Sequence, residues 1–116
     1  MLARQNRLIG KRVFDRIKKK GNILQSKSFG VGFLERKDVN PPRFGFVVST
    51  KVSKRASHRN RIKRILRNAV RENLLKVKSG YDIIFLAKKS IEERSEDEIK
   101  KEVDDFFKNL EVYKKE

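Results

Sequence analysis

The chain contains 116 residues with a formal net charge of +16 at pH 7, and 40% of its residues are charged against 37% that are hydrophobic. This size favours one domain with a modest core, and no apolar run approaches the roughly 18 residues of a membrane span. With no cysteine, one histidine and no apolar signal segment, the sequence excludes disulfides, a thiolate nucleophile and a His-rich metal cluster, and we expect a cytoplasmic protein.

The charge is unevenly divided along the chain. Residues 1–91 carry 25 Lys or Arg against 5 Asp or Glu, whereas residues 92–116 carry 6 against 10. Such an excess opposes folding by self-repulsion unless a partner neutralises it. The pattern therefore predicts a defined polyanion site, and small anions are a candidate partner of the free protein. A membrane surface is disfavoured because the apolar stripe of the N-terminal segment is narrow.

The N-terminal part is predicted to form a helix. Residues 1–6 show no pattern and are expected to be a mobile arm. From Arg7 to Lys20, apolar residues recur at helical spacing among cations, and Gly21 is the expected C-cap. Two roles stay open for Phe14, which could pack in the core or stack on a nucleic-acid base.

Two alternating stretches follow, at Ser26–Leu34 and at Arg43–Thr50. Each places phenylalanine and valine on one face and glycine or serine on the other, which is typical of strands. The glycines indicate either close approach of a ligand or a helix packed tightly over that face. Because a short connection joins the two strands, an antiparallel pair is the default prediction.

The stretch Lys51–Arg71 carries nine Lys or Arg residues and no acid. Its spacing predicts a helix from His58 to Leu75, with Ser57 as the N-cap. One helical face is apolar, and Asn73 joins it; the opposite face carries cations and amides about 5 to 6 Å apart. That repeat matches phosphate spacing, so the face is predicted to bind a polyanion. The apolar face consists of Ile62, Ile65, Leu66, Ala69 and Val70.

The remaining third supplies a strand and a helix. Tyr81–Ala87 is a continuous apolar run, typical of a central strand. A strand, a helix and a strand imply a crossover, whose usual hand is right. Ser95 begins a capping box with Glu98, which leads into a helix with an apolar face. That face consists of Ile99, Val103, Phe106, Phe107 and Leu110, and residues 112–116 are expected to be a mobile tail.

Several motifs of this chain resemble the protein subunit of bacterial ribonuclease P. Arg59-Asn60-Arg61, followed by Lys63, Arg64 and Arg67, is similar to the Arg-Asn-Arg signature that opens the central helix of that family. Lys51-Val52-Ser53-Lys54-Arg55-Ala56 resembles the Lys-rich exit from the preceding strand. Val13-Phe14, Arg43-Phe44-Gly45 and Asp82-Ile83-Ile84 extend the likeness over nearly the whole chain.

The resemblance implies a fold. Members of the family have a small α+β two-layer sandwich with a mixed four-stranded sheet, three helices and a left-handed βαβ crossover, similar to ribosomal protein S5 domain 2. It implies that residues 1–116 form a single RNA-binding domain. The implied hand of the crossover is opposite to the general rule.

The resemblance also implies a function. In the family the RNA subunit is catalytic, uses Mg²⁺ held by the RNA, and removes the 5′ leader of precursor tRNA, while the protein binds both RNAs. No protein motif here indicates a metal site. Residues expected at the catalytic RNA are Lys54, Arg55, Arg59, Asn60, Arg61, Lys63, Arg64 and Arg67. Residues expected at the leader cleft are Phe14, Lys18, Gly32, Val47, Ser49, Lys51 and Tyr113.

Two positions depart from the family pattern. Lys18 stands where a second aromatic residue is common, and Gly32 stands where relatives often have a bulky residue. We therefore expect leader binding to depend more on cations than on stacking, and so to be sensitive to salt.

Three other functions are disfavoured. A structural ribosome-associated RNA-binding protein would explain the charge but not the predicted glycine and phenylalanine cleft. A DNA-binding protein would use the 58–75 helix in the major groove, but the sequence lacks a helix-turn-helix partner. A protein nuclease would need a converging catalytic set, and His58 beside Arg59 is an isolated candidate base.

Overall fold

The computed structural model describes residues 2–8 and 11–109. It contains three α-helices and four β-strands within this part of the chain. The helices are α1 (Lys11–Lys20), α2 (Ala56–Asn73) and α3 (Glu96–Lys108). The strands are β1 (Asn22–Gln25), β2 (Phe29–Glu35), β3 (Arg43–Val47) and β4 (Tyr81–Ala87). Short 3₁₀ turns cover Arg4–Asn6, Leu74–Lys76 and Lys89–Glu93. This composition confirms the predicted α+β class.

The four strands form one mixed sheet in the order β1-β2-β4-β3. β4 pairs antiparallel with β2 and parallel with β3, so the predicted central strand is confirmed. The default antiparallel pairing of β2 with β3 is wrong, because β4 lies between them. β1, which the sequence pattern did not reveal, is the edge strand beside β2. The parallel pair joined through α2 is the predicted crossover, and its hand stays a prediction.

One face of the sheet carries the main core. Phe29, Phe44 and Phe85 are at most 2% exposed and lie under α2 and α3. Phe85 lies at the centre of this core: its ring centroid is 5.3 Å from that of Phe29 and 5.9 Å from that of Phe107. Such tilted and edge contacts are favourable arrangements for aromatic rings. This face therefore fixes both helices against the sheet.

The helix α2 buries its predicted apolar face and Asn73 completely. Ile62, Ile65, Leu66, Ala69 and Val70 are at most 2% exposed. The helix begins at Ala56, with Arg55 at the N-cap, so the prediction of Ser57 as the N-cap is wrong. No side chain caps this end. Ser57 instead lies in the first turn.

The helix α3 begins with the predicted capping box. The Ser95 hydroxyl accepts a hydrogen bond from the Glu98 amide at 3.2 Å, and the Glu98 carboxylate accepts one from the Ser95 amide at 3.0 Å. Ile99, Val103 and Phe107 are buried, while Phe106 is half-buried. The predictions for Leu110 and for the tail at 112–116 lie outside the described residues.

The N-terminal segment is packed against the sheet. Leu2 is 2% exposed within the main core, and the buried Asn6 side chain donates to the Pro42 carbonyl at 2.9 Å. The Leu8 amide donates to the Phe44 carbonyl at 2.8 Å, which extends the chain along β3. The prediction of a mobile arm is therefore wrong for residues 2–6. Arg7 and Leu8, which the prediction placed in the first helix, instead lie along β3, and the helix α1 covers Lys11–Lys20.

No described helix is both long enough and apolar enough to cross a membrane.

Candidate RNA interface

The exposed side of α2 presents the predicted cations and amide. Asn60, Arg61 and Arg64 are exposed, whereas Arg59, Lys63 and Arg67 are half-buried. Lys54 and Arg55, in the segment that leads into the helix, are exposed as well. Because the opposite side of α2 is locked into the core, this face is held rigidly.

Among the described residues, no acid forms an ion pair with a cation of α2. The described ion pairs involve the cations Arg36, Arg43, Arg94 and Lys100. Two of the α2 arginines instead donate to the protein's own backbone. Arg59 Nη1 lies 2.9 Å from the Ser53 carbonyl, and Arg67 Nε lies 3.3 Å from the Lys63 carbonyl. The positive field of this face is thus directed at solvent.

The second face of the sheet, opposite the main core, is partly covered by α1. Ile17 and Ile84 are fully buried there with Leu8, and Phe14 is half-buried against them. A Cβ atom at position 45 would lie 2.6 Å from Cε1 of Phe14, so the aromatic ring rests directly on the Gly45 backbone. Of the two explanations for the glycines, tight packing of a helix is the one that the structure supports here.

Gly32 is covered rather than open. A Cβ atom at this position would lie 2.9 Å from methyl carbons of both Ile17 and Ile84. The expectation that Gly32 lines an accessible cleft is therefore wrong, because α1 inserts Ile17 over it. The absence of a bulky side chain at position 32 lets α1 approach the sheet.

The open part of this face begins at the next pairs along the strands. Gly30 pairs with Leu86, and Leu86 pairs with Val47. Leu86 and Val47 are half-buried, so they form an apolar floor next to the part of the sheet that α1 covers. Gly30 is buried at the end of this row, and we call Leu86 and Val47 the open floor.

Of the other five predicted cleft residues, four are described by the structure and one is not. Phe14 packs in the same apolar cluster as Val47, and Lys18 is exposed on α1. Ser49 and Lys51 are exposed just after β3, at the edge beside Val47. Tyr113 is outside the described residues.

Leu86 was missed as a cleft residue by the sequence reasoning. The apolar run of β4 gives no alternation from which its two faces could be distinguished. A signal was present, because Leu86 is two residues after Ile84 and residues two apart on a strand point to the same face of the sheet. It becomes usable only once Ile84 is known to face α1.

Among the described residues, no group of three or more His, Asp or Glu side chains is placed to hold a metal ion.

A cation-bearing helix on one face of a four-stranded sheet, with a half-covered apolar surface on the other face, is the arrangement of a class of small α+β RNA-binding proteins. The family model described as Ribonuclease P matches residues 2–111. The chain therefore belongs to the ribonuclease P protein family.

Relatives and solved structures agree with this assignment. The ribonuclease P protein component of Fusobacterium nucleatum is 41% identical over 77% of this chain and 86% of its own length. That of Bacillus velezensis is 34% identical over 98% of this chain and 97% of its own. The ribonuclease P protein of Staphylococcus aureus has a TM-score of 0.86 at 27% identity, covering 93% of this chain and 97% of that one. The ribonuclease P protein of Thermotoga maritima has a TM-score of 0.81 at 29% identity, covering 90% of this chain and 97% of that one. The chain is thus a protein subunit of ribonuclease P, a ribonucleoprotein of tRNA processing.

Proposed function

We propose that this subunit binds the ribonuclease P RNA through α2 and holds the 5′ leader of precursor tRNA on the open floor. The observation that carries the proposal is the presence of two surfaces in one small domain: an acid-free cationic face on α2, which packs on one face of the sheet, and a half-covered apolar surface on the other face. Arg61 and Arg64 are exposed on α2. Val47 and Leu86 are half-buried on the sheet.

The α2 face suits a folded RNA. Its cations project from a rigid helix at a spacing of about 5 to 6 Å, so adjacent side chains can reach adjacent phosphates. Binding releases the counterions that those phosphates held, which makes affinity fall with salt. The absence of acidic partners among the described ion pairs means that no internal pair has to be broken first.

The open floor suits a single strand. Its half-buried Leu86 and Val47 offer apolar surface to a base, and Phe14 stands at its border. Ser49 and Lys51 are exposed just after Val47, and Lys18 is exposed on α1, so these side chains are available to supply charge or hydrogen bonds to the backbone of the strand. Stacking and cations together bind single strands with little sequence preference.

The hydrolytic chemistry belongs, in this proposal, to the RNA subunit. The described residues include no cluster that could bind Mg²⁺ by itself, and we assign no metal to the protein. The protein contributes by holding the substrate leader and the RNA in one orientation. The reaction is endonucleolytic removal of the leader, which produces the 5′ end of mature tRNA.

The test is cleavage of precursor tRNA by a bacterial ribonuclease P RNA at low Mg²⁺, with and without the purified protein. We expect the protein to raise the cleavage rate over RNA alone, and to do so more strongly for a substrate with a leader. Binding of RNA without any stimulation of cleavage would instead favour a structural RNA-binding role. The protein alone is expected to leave the substrate intact.

A further inference from the structure

Arg59 differs from the exposed cations of α2 because its guanidinium is engaged with the protein itself. Nη1 donates to the Ser53 carbonyl at 2.9 Å, and the residue is half-buried. Ser53 is only 8% exposed. We propose that Arg59 is a positioning residue, which fixes the segment between β3 and α2 against the helix and thereby orients the cations of that segment.

The segment concerned covers residues 48–55, and we call it the β3–α2 connection. Two of its three described internal hydrogen bonds are longer than the usual N–H···O distance of about 3.0 Å. The amides of Val52 and Ser53 donate to the Ser49 carbonyl at 3.0 and 3.4 Å, and the Arg55 amide donates to the Ser53 hydroxyl at 3.3 Å. Val48 and Val52 are buried anchors. Among the described side-chain hydrogen bonds, the one that the charged Arg59 guanidinium donates to the Ser53 carbonyl links α2 to this connection.

The β3–α2 connection joins both candidate binding surfaces. Ser49 and Lys51 lie at its start, beside the open floor, whereas Lys54 and Arg55 lie at its end, beside the α2 face. All four are exposed. A single guanidinium that holds the middle of the connection therefore affects both surfaces, which distinguishes it from a cation that contacts one phosphate.

Arg61 is the matched control. It is two residues away on the same helix and is exposed. No described hydrogen bond or ion pair involves its side chain. Removing Arg61 deletes a charge of the α2 face without altering the connection, whereas removing Arg59 deletes a charge and releases the connection. Preorganised groups bind better than mobile ones because less freedom is lost on binding.

The first test uses the protein without RNA. Amide hydrogen exchange is measured by NMR in the wild type, Arg59→Ala, Arg59→Met and Arg61→Ala. We expect exchange at Val52, Ser53 and Arg55 to be about fivefold faster in both Arg59 variants, as the loss of one hydrogen bond predicts, and unchanged in Arg61→Ala.

Arg59→Met keeps the apolar stem of the side chain, so it decides the outcome if Arg59→Ala does not fold. Unchanged exchange at Ile65 in the core of α2 verifies the fold. Exchange within twofold of the wild type at all three amides, in a folded Arg59 variant, would overturn the proposal.

The second test rests on the proposed function. Affinity of the complex with ribonuclease P RNA is measured for precursor tRNA and for tRNA without a leader. With the RNA saturated by each protein variant, we expect the leader's contribution to affinity to fall roughly threefold or more in the Arg59 variants and to fall by less than that in Arg61→Ala. Equal loss in Arg61→Ala would show that charge alone is responsible, and would refute the coupling. If the wild type shows no leader contribution, the proposed function fails, while the exchange experiment still decides the role of Arg59.

Discussion

Glu102, a half-buried carboxylate on α3, is hydrogen-bonded to the turn between β1 and β2. Ser26 Oγ donates to it at 2.5 Å, and the Ser28 amide and hydroxyl each donate at 2.8 Å. Burial raises the pKa of Glu102, but the hydrogen bonds from Ser26 and Ser28 outweigh it and hold the pKa below the usual value. The ionised form therefore fastens α3 to the sheet.

We expect Glu102→Gln to lower the free energy of unfolding by about 2 kcal/mol at pH 7, because charged hydrogen bonds are replaced by weaker ones. Since folding lowers the pKa, this stabilisation is fully present above the unfolded-state pKa of about 4.3 and is lost as pH falls through the folded-state pKa. Urea denaturation at pH 7 and pH 3 measures it. Asp105→Asn, an exposed change on the same helix, is the control. A difference from wild type that is equal at both pH values would contradict the assignment.

Gly45 and Gly30 offer a matched pair on the second face of the sheet. At Gly45 an added Cβ would lie 2.6 Å from the Phe14 ring, whereas at Gly30 it would meet the end of the flexible Gln25 side chain at 3.0 Å. We expect Gly45→Ala to destabilise by about 1 to 3 kcal/mol through overpacking and to weaken leader binding by displacing Phe14. Thermal unfolding and leader affinity report these effects.

Gly30→Ala is the control for Gly45→Ala. Its neighbour can move aside, and alanine reduces the freedom of the unfolded chain, so stability should be unchanged or slightly higher. If Gly45→Ala proved as well tolerated as Gly30→Ala, the Phe14 ring would not be confined by the Gly45 backbone.

At the scale of elements, α2 combines a buried face with a binding face. We expect Arg64→Ala to reduce the salt slope of RNA binding by about one unit, because one phosphate contact is lost, with little change in stability because Arg64 is exposed. Arg67→Ala should also reduce the salt slope. It removes a second interaction as well, because Arg67 Nε donates to the Lys63 carbonyl. Binding isotherms at several salt concentrations measure the slope.

Lys101→Ala removes an exposed cation from α3 and should leave the slope unchanged. An unfolded Arg64→Ala would mean that the two faces of α2 had been assigned to the wrong sides. A slope that falls as much in Lys101→Ala as in Arg64→Ala would mean that RNA responds to net charge and not to the α2 face.

The sequence predicted those elements whose residues carry a recognisable short-range pattern, such as helical spacing or a capping box. The three-and-four spacing of Ile62, Ile65 and Leu66 identified α2, and the Ser95 and Glu98 pair identified the start of α3. The edge strand β1 was missed because it has only four residues, all exposed, so no burial pattern marks it. The strand order was missed because pairing of β2 with β4 spans about fifty residues of sequence, which no local pattern encodes.

The candidate site was predictable to a similar extent. The cations of α2 followed from helix geometry, since the apolar series fixes the opposite side. The cleft was not, because which glycine is covered depends on where α1 docks: Ile17 covers Gly32, and Phe14 rests on Gly45. The contact of Arg59 with Ser53 was also beyond the sequence, since it depends on how the β3–α2 connection turns.

At the scale of the whole molecule, the net charge of +16 cannot be relieved by internal ion pairs, because the 31 Lys and Arg residues outnumber the 15 Asp and Glu residues. We expect sulfate to raise the thermal midpoint more than chloride at matched ionic strength, because an ion that binds only the folded state stabilises it by mass action. Circular dichroism melts measure the effect. Equal midpoints in the two salts would show that screening alone, and not anion binding, relieves the repulsion.

The central position of β4 also bears on how the chain folds during synthesis. Of the described strands, β4 is the last to leave the ribosome, yet it pairs with the inner edge of β2 and is the described strand that pairs with β3. Until residues 81–87 emerge, the nascent chain exposes unpaired strand edges and most of its cations next to ribosomal RNA. Long-range pairing of this kind slows folding, so the sheet is expected to close late and in one cooperative step.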